Sequence, residues 1–268
     1  MKLGYIDYLN CYPFYYHMME EQNISEVEIL SATPSELNYL MAEKQLDMSP
    51  ISTAAYSHIQ NDVYILPDFC LSSIGYVHSV VLLSKYKIEE LDQKTIGLTK
   101  SSLTSMILLK IILHSIYNID PFYEIMETIK VNTFDAILLI GNDAMVPTTF
   151  DHSYTYDLGE LWMKLTNKPV VFALFAVQKE FYNNNIDTLH KIISSFNESL
   201  SIMKENPKKI IDKAKSKYPD ITYDAQKYYE LLQFHFNEDL QESALFYFQE
   251  AHKAHLLQSV SELNFIPE

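Results

Sequence analysis

The chain has 268 residues, with 20 Lys and no Arg against 35 Asp plus Glu, so its formal charge at pH 7 is -15. An acidic chain without Arg excludes the usual nucleic-acid binder, which neutralises phosphates with clustered cations, and disfavours an anionic membrane surface. The five Gly (4, 75, 97, 141 and 159) lie too far apart for a dinucleotide fingerprint or a phosphate loop. The two Cys (11 and 70) exclude a disulfide scaffold and a Cys-rich zinc site, and are expected as free buried thiols.

In chain order, Leu3–Ile6 reads as a strand, Pro13–Glu20 as a helix and Val27–Leu30 as a second strand. Thr33-Pro34-Ser35-Glu36 is a helix start: Thr33 caps, Pro34 suits the first helical position and Glu36 completes a capping box. Leu46–Pro50 is a short strand, followed by a helix from Ser52 or Thr53 to Ile59. The β-branched run Val77–Leu83 reads as a buried strand, Thr95–Leu98 as another, and Ser101–Tyr117 as a helix with an apolar face. Ala136–Ile140 is a strand closed by Gly141, Leu158–Leu165 a helix and Val170–Val177 a strand. Beyond Gln178 the pattern is helical: Ile186–Glu205, Pro207–Lys217, Tyr223–Phe234 and Leu240–Leu257. Together these predict an α/β body with a helical tail packed back on it. No apolar run approaches the roughly 20 residues of a spanning helix, and the start of the chain lacks a signal-peptide pattern, so a cytoplasmic location is expected.

Three segments place small polar residues between a strand and a helix start: Tyr8–Pro13, Ser49–Thr53 and Thr99–Ser105. In an open α/β sheet such points lie at carboxyl ends of strands, where ligands bind. Helix N-termini and hydroxyls there could hold carboxylates without Arg; the competing reading makes the same Ser and Thr mere caps. Asn10 is either a turn former or a ligand contact, and Ser79 is either bonded to backbone or functional. Cys11 reads as an inert thiol in preference to a nucleophile. His252 and His255 have possible metal-ligand spacing but read as a solvated helix face. The aromatic stretch Tyr12–Tyr16 suits either a ring-binding pocket or core packing.

Seven segments, in order, carry a resemblance: Ile6–Phe14 (I-D-Y-L-N-C-Y-P-F), Leu46–Ser52, Gly75–Val80 (G-Y-V-H-S-V), Thr99–Ser105, Asp135–Gly141, Tyr156–Trp162 and Pro169–Ala173. With them the chain resembles the chorismate dehydratases of the futalosine route to menaquinone. The resemblance implies a two-lobed type 2 periplasmic-binding-protein-like fold, with lobe 1 formed by residues 1–83 and 173–268 and lobe 2 by 84–172. It implies conversion of chorismate to 3-[(1-carboxyvinyl)oxy]benzoate and water, with no metal or organic cofactor. It also implies catalytic roles for Asn10 and Ser79. The substrate contacts expected around them are Tyr8, Ser49, Ser52, Thr99, Ser101, Ser102, Thr104, Ser105, Gly141 and Asn142, with Lys100 as a possible cation. The expected partner is the small dicarboxylate alone, without nucleic acid or membrane, and the expected state is a monomer or weak homodimer.

Three positions depart from the family pattern: Asp7, His78 and Asn142. An ionised Asp7 facing the cleft would repel a dicarboxylate. The rival readings are the 1,4-dihydroxy-6-naphthoate synthase of the same pathway, a non-catalytic small-anion-binding protein and a ligand-sensing regulatory domain. The Y-L-N-C-Y-P motif, the missing export signal and the missing DNA-binding helix pair argue against these in turn.

Overall fold

The computed structural model describes residues 1–126 and 133–267 and sorts its strands into two sheets. The first holds β1 (Lys2–Ile6), β2 (Glu28–Ala32), β3 (Met48–Ser52), β4 (Val63–Ser73), β10 (Val170–Gln178) and β11 (Leu232–His235), in the spatial order β11-β4-β10-β3-β1-β2. The second holds β5 (Val80–Ser84), β6 (Thr95–Leu98), β7 (Phe122–Ile125), β8 (Ala136–Ile140) and β9 (Tyr154–Asp157), in the order β7-β6-β8-β5-β9. β1 runs parallel to β2 and β3, and β6 runs parallel to β7 and β8. β10 is antiparallel to β3 and β4, and β5 is antiparallel to β8 and β9. The chain crosses from the first sheet to the second between Ser73 and Val80 and returns between Asp157 and Val170.

Helices α1 (Tyr12–Tyr16), α2 (Pro34–Ala42), α3 (Thr53–Ile59), α4 (Leu103–Lys110) and α5 (Leu158–Thr166) connect these strands. α1 and α4 continue as π-helical turns, His17–Glu21 and Ile111–Ile116. The capping box at Thr33 forms: its hydroxyl accepts from Glu36 N–H, and the Glu36 carboxylate accepts from Thr33 N–H. Ser102 caps α4 and Asp157 caps α5, while Asn167 at φ +55° ends α5 in the left-handed conformation.

The tail consists of α6 (Lys179–Asn184), α7 (Ile186–Glu205), α8 (Pro207–Lys217), α9 (Ala225–Leu231) and α10 (Glu238–Lys253). It packs on the first sheet's helices. His17 N–H donates to Ser199 on α7 at 2.8 Å, and Lys213 pairs with Glu20 at 2.6 Å. Phe14 sits among Phe69, Phe175, Phe196 and Phe234, with ring centroids 4.6–5.9 Å away in tilted and edge-on arrangements. Every residue of Tyr12–Tyr16 is buried, and this stretch is core rather than a ring-binding wall.

Several elements differ from expectation. The strand predicted from Val77 begins only at Val80, because Val77 and His78 give their N–H groups to the Asp157 carboxylate and His78 adopts φ +65°. The helix predicted through Phe234 stops at Leu231; Leu232 and Gln233 pair instead with Ser73 and Ser72. Pairing along the β4 edge satisfies backbone groups that a longer helix would leave open, so tertiary context overrides helical patterning. The 11-residue strand β4 carries no clear strand pattern in the sequence, since Pro67-Asp68 interrupts its apolar run.

Candidate functional site

A cleft between the two sheets contains about 530 Å³ of space free of protein atoms, part of it open to solvent. Its floor on the first sheet comes from Ile6 at the end of β1, Tyr8 and Asn10 just after it, Ser52 at the end of β3, and Phe172 and Ala173 on β10. From the second sheet come Val77, Ser79 and Val80, Ser102 and Ser105 at the start of α4, and Ile140 and Gly141. Strand ends and helix starts from both sheets thus converge, as α/β connections place them.

The loop carrying Asn10 is held from three sides. Cys11 N–H donates to Tyr8 O at 3.1 Å; Leu9 N–H donates to Asn142 Oδ1 at 2.9 Å; and Tyr229 on α9 donates its hydroxyl to Leu9 O at 3.0 Å. The Asn10 Oδ1 atom is buried and has no hydrogen-bond partner among the described residues. Buried polar atoms are normally paired, so an unpaired one on a residue that lines the cleft singles Asn10 out.

Three cleft serines share one state. Ser52 Oγ accepts from Asn38 Nδ2 at 3.1 Å, Ser105 Oγ accepts from the Ser102 hydroxyl at 3.1 Å, and Ser79 Oγ accepts from the Tyr228 hydroxyl at 2.8 Å. Among the described residues none of the three donates to a protein acceptor, so each keeps its own proton for an acceptor in the cleft. No Lys, His, Asp or Glu lines the cleft among the described residues; Tyr8 is its one ionisable side chain, and burial pushes its phenol up. The cleft is therefore a neutral, donor-rich surface suited to an anion.

Tyr8, Asn10, Ser52, Ser79, Ser102, Ser105 and Gly141 line this cleft; Ser49, Thr99, Ser101, Thr104 and Asn142 do not. Ser49 is fully buried against Gly4, where an added Cβ would meet its Oγ at 2.2 Å, and its hydroxyl donates to Pro50 O. Thr104 uses its hydroxyl twice within the protein, accepting from Ala54 N–H at 3.1 Å and donating to Phe172 O at 3.2 Å. Asn142 is committed to Leu9, and Thr99 Oγ1 accepts from Ser101 N–H at 3.2 Å. Ser101 lies beside the Tyr8 phenol, outside the lining. Gly141 spends its N–H on Ser79 O at 2.8 Å, so its part is close approach, not donation. The Lys100 side chain is exposed outside the lining, and its carbonyl accepts from Ser35.

Asp7 does not line the cleft. Its carboxylate accepts from Tyr218 at 2.7 Å and Ser31 at 3.0 Å, and pairs with Lys217 at 3.0 Å. Partial burial pushes this carboxyl up, but those hydrogen bonds outweigh it and hold it below its ordinary range. The repulsion anticipated from sequence is thereby removed. His78 also lies outside the lining, its Nδ1 bonded to Tyr76 and its ring stacked on Tyr223 at 3.6 Å. Nothing local in the sequence points to Tyr228, which supports Ser79 from the tail, or to the wall residues Leu71, Ser72 and Leu232.

The family model for menaquinone biosynthesis matches residues 1–253. The chain belongs to the menaquinone-biosynthesis family. A chorismate dehydratase from Thermus thermophilus is 31% identical over 196 residues, 66% of this chain and 70% of that protein. Family membership beside such a relative makes this chain an enzyme. Among solved structures, protein AF1704 from Archaeoglobus fulgidus superposes with a TM-score of 0.78 at 19% identity, covering 96% of this chain and 98% of that one. A Candida albicans gene product described as having the generic periplasmic binding protein fold gives 0.65 at 12% identity, covering 97% and 92%. These two likenesses show the fold: the menaquinone-biosynthesis chain is two-lobed and periplasmic-binding-protein-like.

Proposed function

We propose that this enzyme is a chorismate dehydratase, converting chorismate to 3-[(1-carboxyvinyl)oxy]benzoate and water. The observation that carries the reading is the neutral cleft with three proton-bearing serine hydroxyls and the orphaned Asn10 Oδ1. The C3 proton of chorismate is vinylogous to the ring carboxylate, so its removal gives an extended dienolate; loss of the C4 hydroxyl then makes the ring aromatic. Hydroxyl donors around the ring carboxylate stabilise the charge that gathers there. Asn10, a cleft-lining amide, orients or polarises the substrate, and Ser79 donates to the substrate or to the departing hydroxyl. No carboxylate or imidazole lines the cleft among the described residues, so a carboxylate of the substrate itself takes the proton. H3 and the C4 hydroxyl lie on one face of the ring, which suits that transfer.

Ser52, Ser102, Ser105 and Tyr8 are the proposed binding residues and Gly141 is part of the wall, while Ser49, Thr99, Ser101, Thr104 and Asn142 lie outside the lining and support it. We place the lobe division at the two inter-sheet crossings rather than at residues 84 and 172. No helix among the described residues is long and apolar enough to cross a membrane; the proposed location is the cytoplasm. Incubation with chorismate, followed by chromatography for the aromatic enol ether, tests the function. Asn10→Ala and Ser79→Ala should each lower turnover by about 10²-fold. Unchanged turnover overturns their roles, and binding without product favours a binding protein.

A further inference from the structure

Tyr228 on α9 is fully buried, does not line the cleft and reaches Ser79 from behind. Its hydroxyl donates to Ser79 Oγ at 2.8 Å, a contact between the helical tail and the start of the second sheet. The Asn10 side chain lies beside the same phenol, and its Oδ1 is the buried atom without a partner. The Tyr228 O–H donates to Ser79, so the Ser79 proton is left for an acceptor in the cleft.

We propose that Tyr228 is a positioning residue that sets the proton direction of Ser79, making its hydroxyl a donor toward substrate. Without the phenol, the Ser79 hydroxyl is free to turn toward its own backbone. That change presents the wrong polarity to the substrate without altering the shape of the cleft. Accepting from Tyr228 also polarises the Ser79 O–H, strengthening it as a donor. The inference rests on the chorismate dehydratase reading and adds a residue to it.

The test is a double-mutant cycle on the full chain, with steady-state kinetics on chorismate for wild type, Tyr228→Phe, Ser79→Ala and the double variant. Tyr228→Phe should lower kcat by about 10- to 100-fold with KM nearly unchanged, and the double variant should be no slower than Ser79→Ala alone. A purely structural role would instead give additive losses; additivity, or wild-type kcat in Tyr228→Phe, overturns the proposal. Inactive wild type would overturn the functional reading, and the inference with it, whereas active wild type with additive variants overturns the inference alone. Circular dichroism checks folding. If Tyr228→Phe does not fold, 3-fluorotyrosine placed at 228 keeps ring and hydroxyl while strengthening the donor. It should raise kcat at constant KM, and an unchanged kcat overturns the proposal.

Discussion

Gly141 lies so close to the Tyr8 ring that a Cβ at position 141 would sit 2.5 Å from two of its carbons. Its φ of +57° is also one that other residues adopt only under strain. Gly141→Ala should therefore displace Tyr8 in the cleft and cost about 1 to 3 kcal/mol of stability from backbone strain. Because a shift of about 1 Å in a reacting group can cost 10²-fold, kcat/KM should fall by about that factor. Thermal melting with kinetics on chorismate checks both; a variant with wild-type kinetics would show that the ring does not shape the site.

Asp7 makes a pH-dependent contribution to stability. Its folded pKa is lower than the ordinary 3.8, so the stabilisation is present above that value and lost as pH falls through the folded pKa. Asp7→Asn should lower Tm at pH 7, and the gap from wild type should close as the pH drops below about 4. Its KM for chorismate should stay unchanged, since the carboxylate faces Tyr218 and Lys217. A large fall in KM would mean that Asp7 does face the substrate.

Both thiols should be silent in the folded protein. Burial pushes Cys70 up to about 12 and Cys11 higher still, and neither is exposed. At pH 8, Ellman's reagent should find no reactive thiol in the native chain and two after denaturation in guanidinium. Fast native labelling of Cys11 would revive the nucleophile reading.

The formal charge of -15 and the absence of any Lys from the cleft lining among the described residues mean that a dicarboxylate approaches against the field. At subsaturating chorismate, kcat/KM should rise as ionic strength goes from about 0.01 to 0.15 M, where the screening length shortens from about 30 to 8 Å. A falling kcat/KM would reveal a cation that reaches the cleft.

The sequence made legible what depends on local chemistry. Thr33 and Glu36 could be read as a capping box because both partners lie within one turn. Asn10 could be singled out as an amide between apolar neighbours, though its orphaned oxygen needed coordinates. What escaped depends on distance along the chain. Ser49 and Ser52 have the same residue type three positions apart, yet one lies under Gly4 and the other in the cleft. Asn142 bonds a loop 133 positions away, and Tyr228 bonds a serine 149 positions away. β11 forms only because β4 offers it an edge, and nothing within Leu232–His235 declares that.

The Asp157 carboxylate joins segments that belong to opposite journeys of the chain. It ends β9, at the start of the return crossing, and it accepts N–H groups from Val77 and His78 on the outward one. The same carboxylate caps α5 through Glu160 N–H at 2.9 Å. The outward and return crossings are thereby riveted side by side, so the two connections between the lobes form one joint and neither can shift without the other.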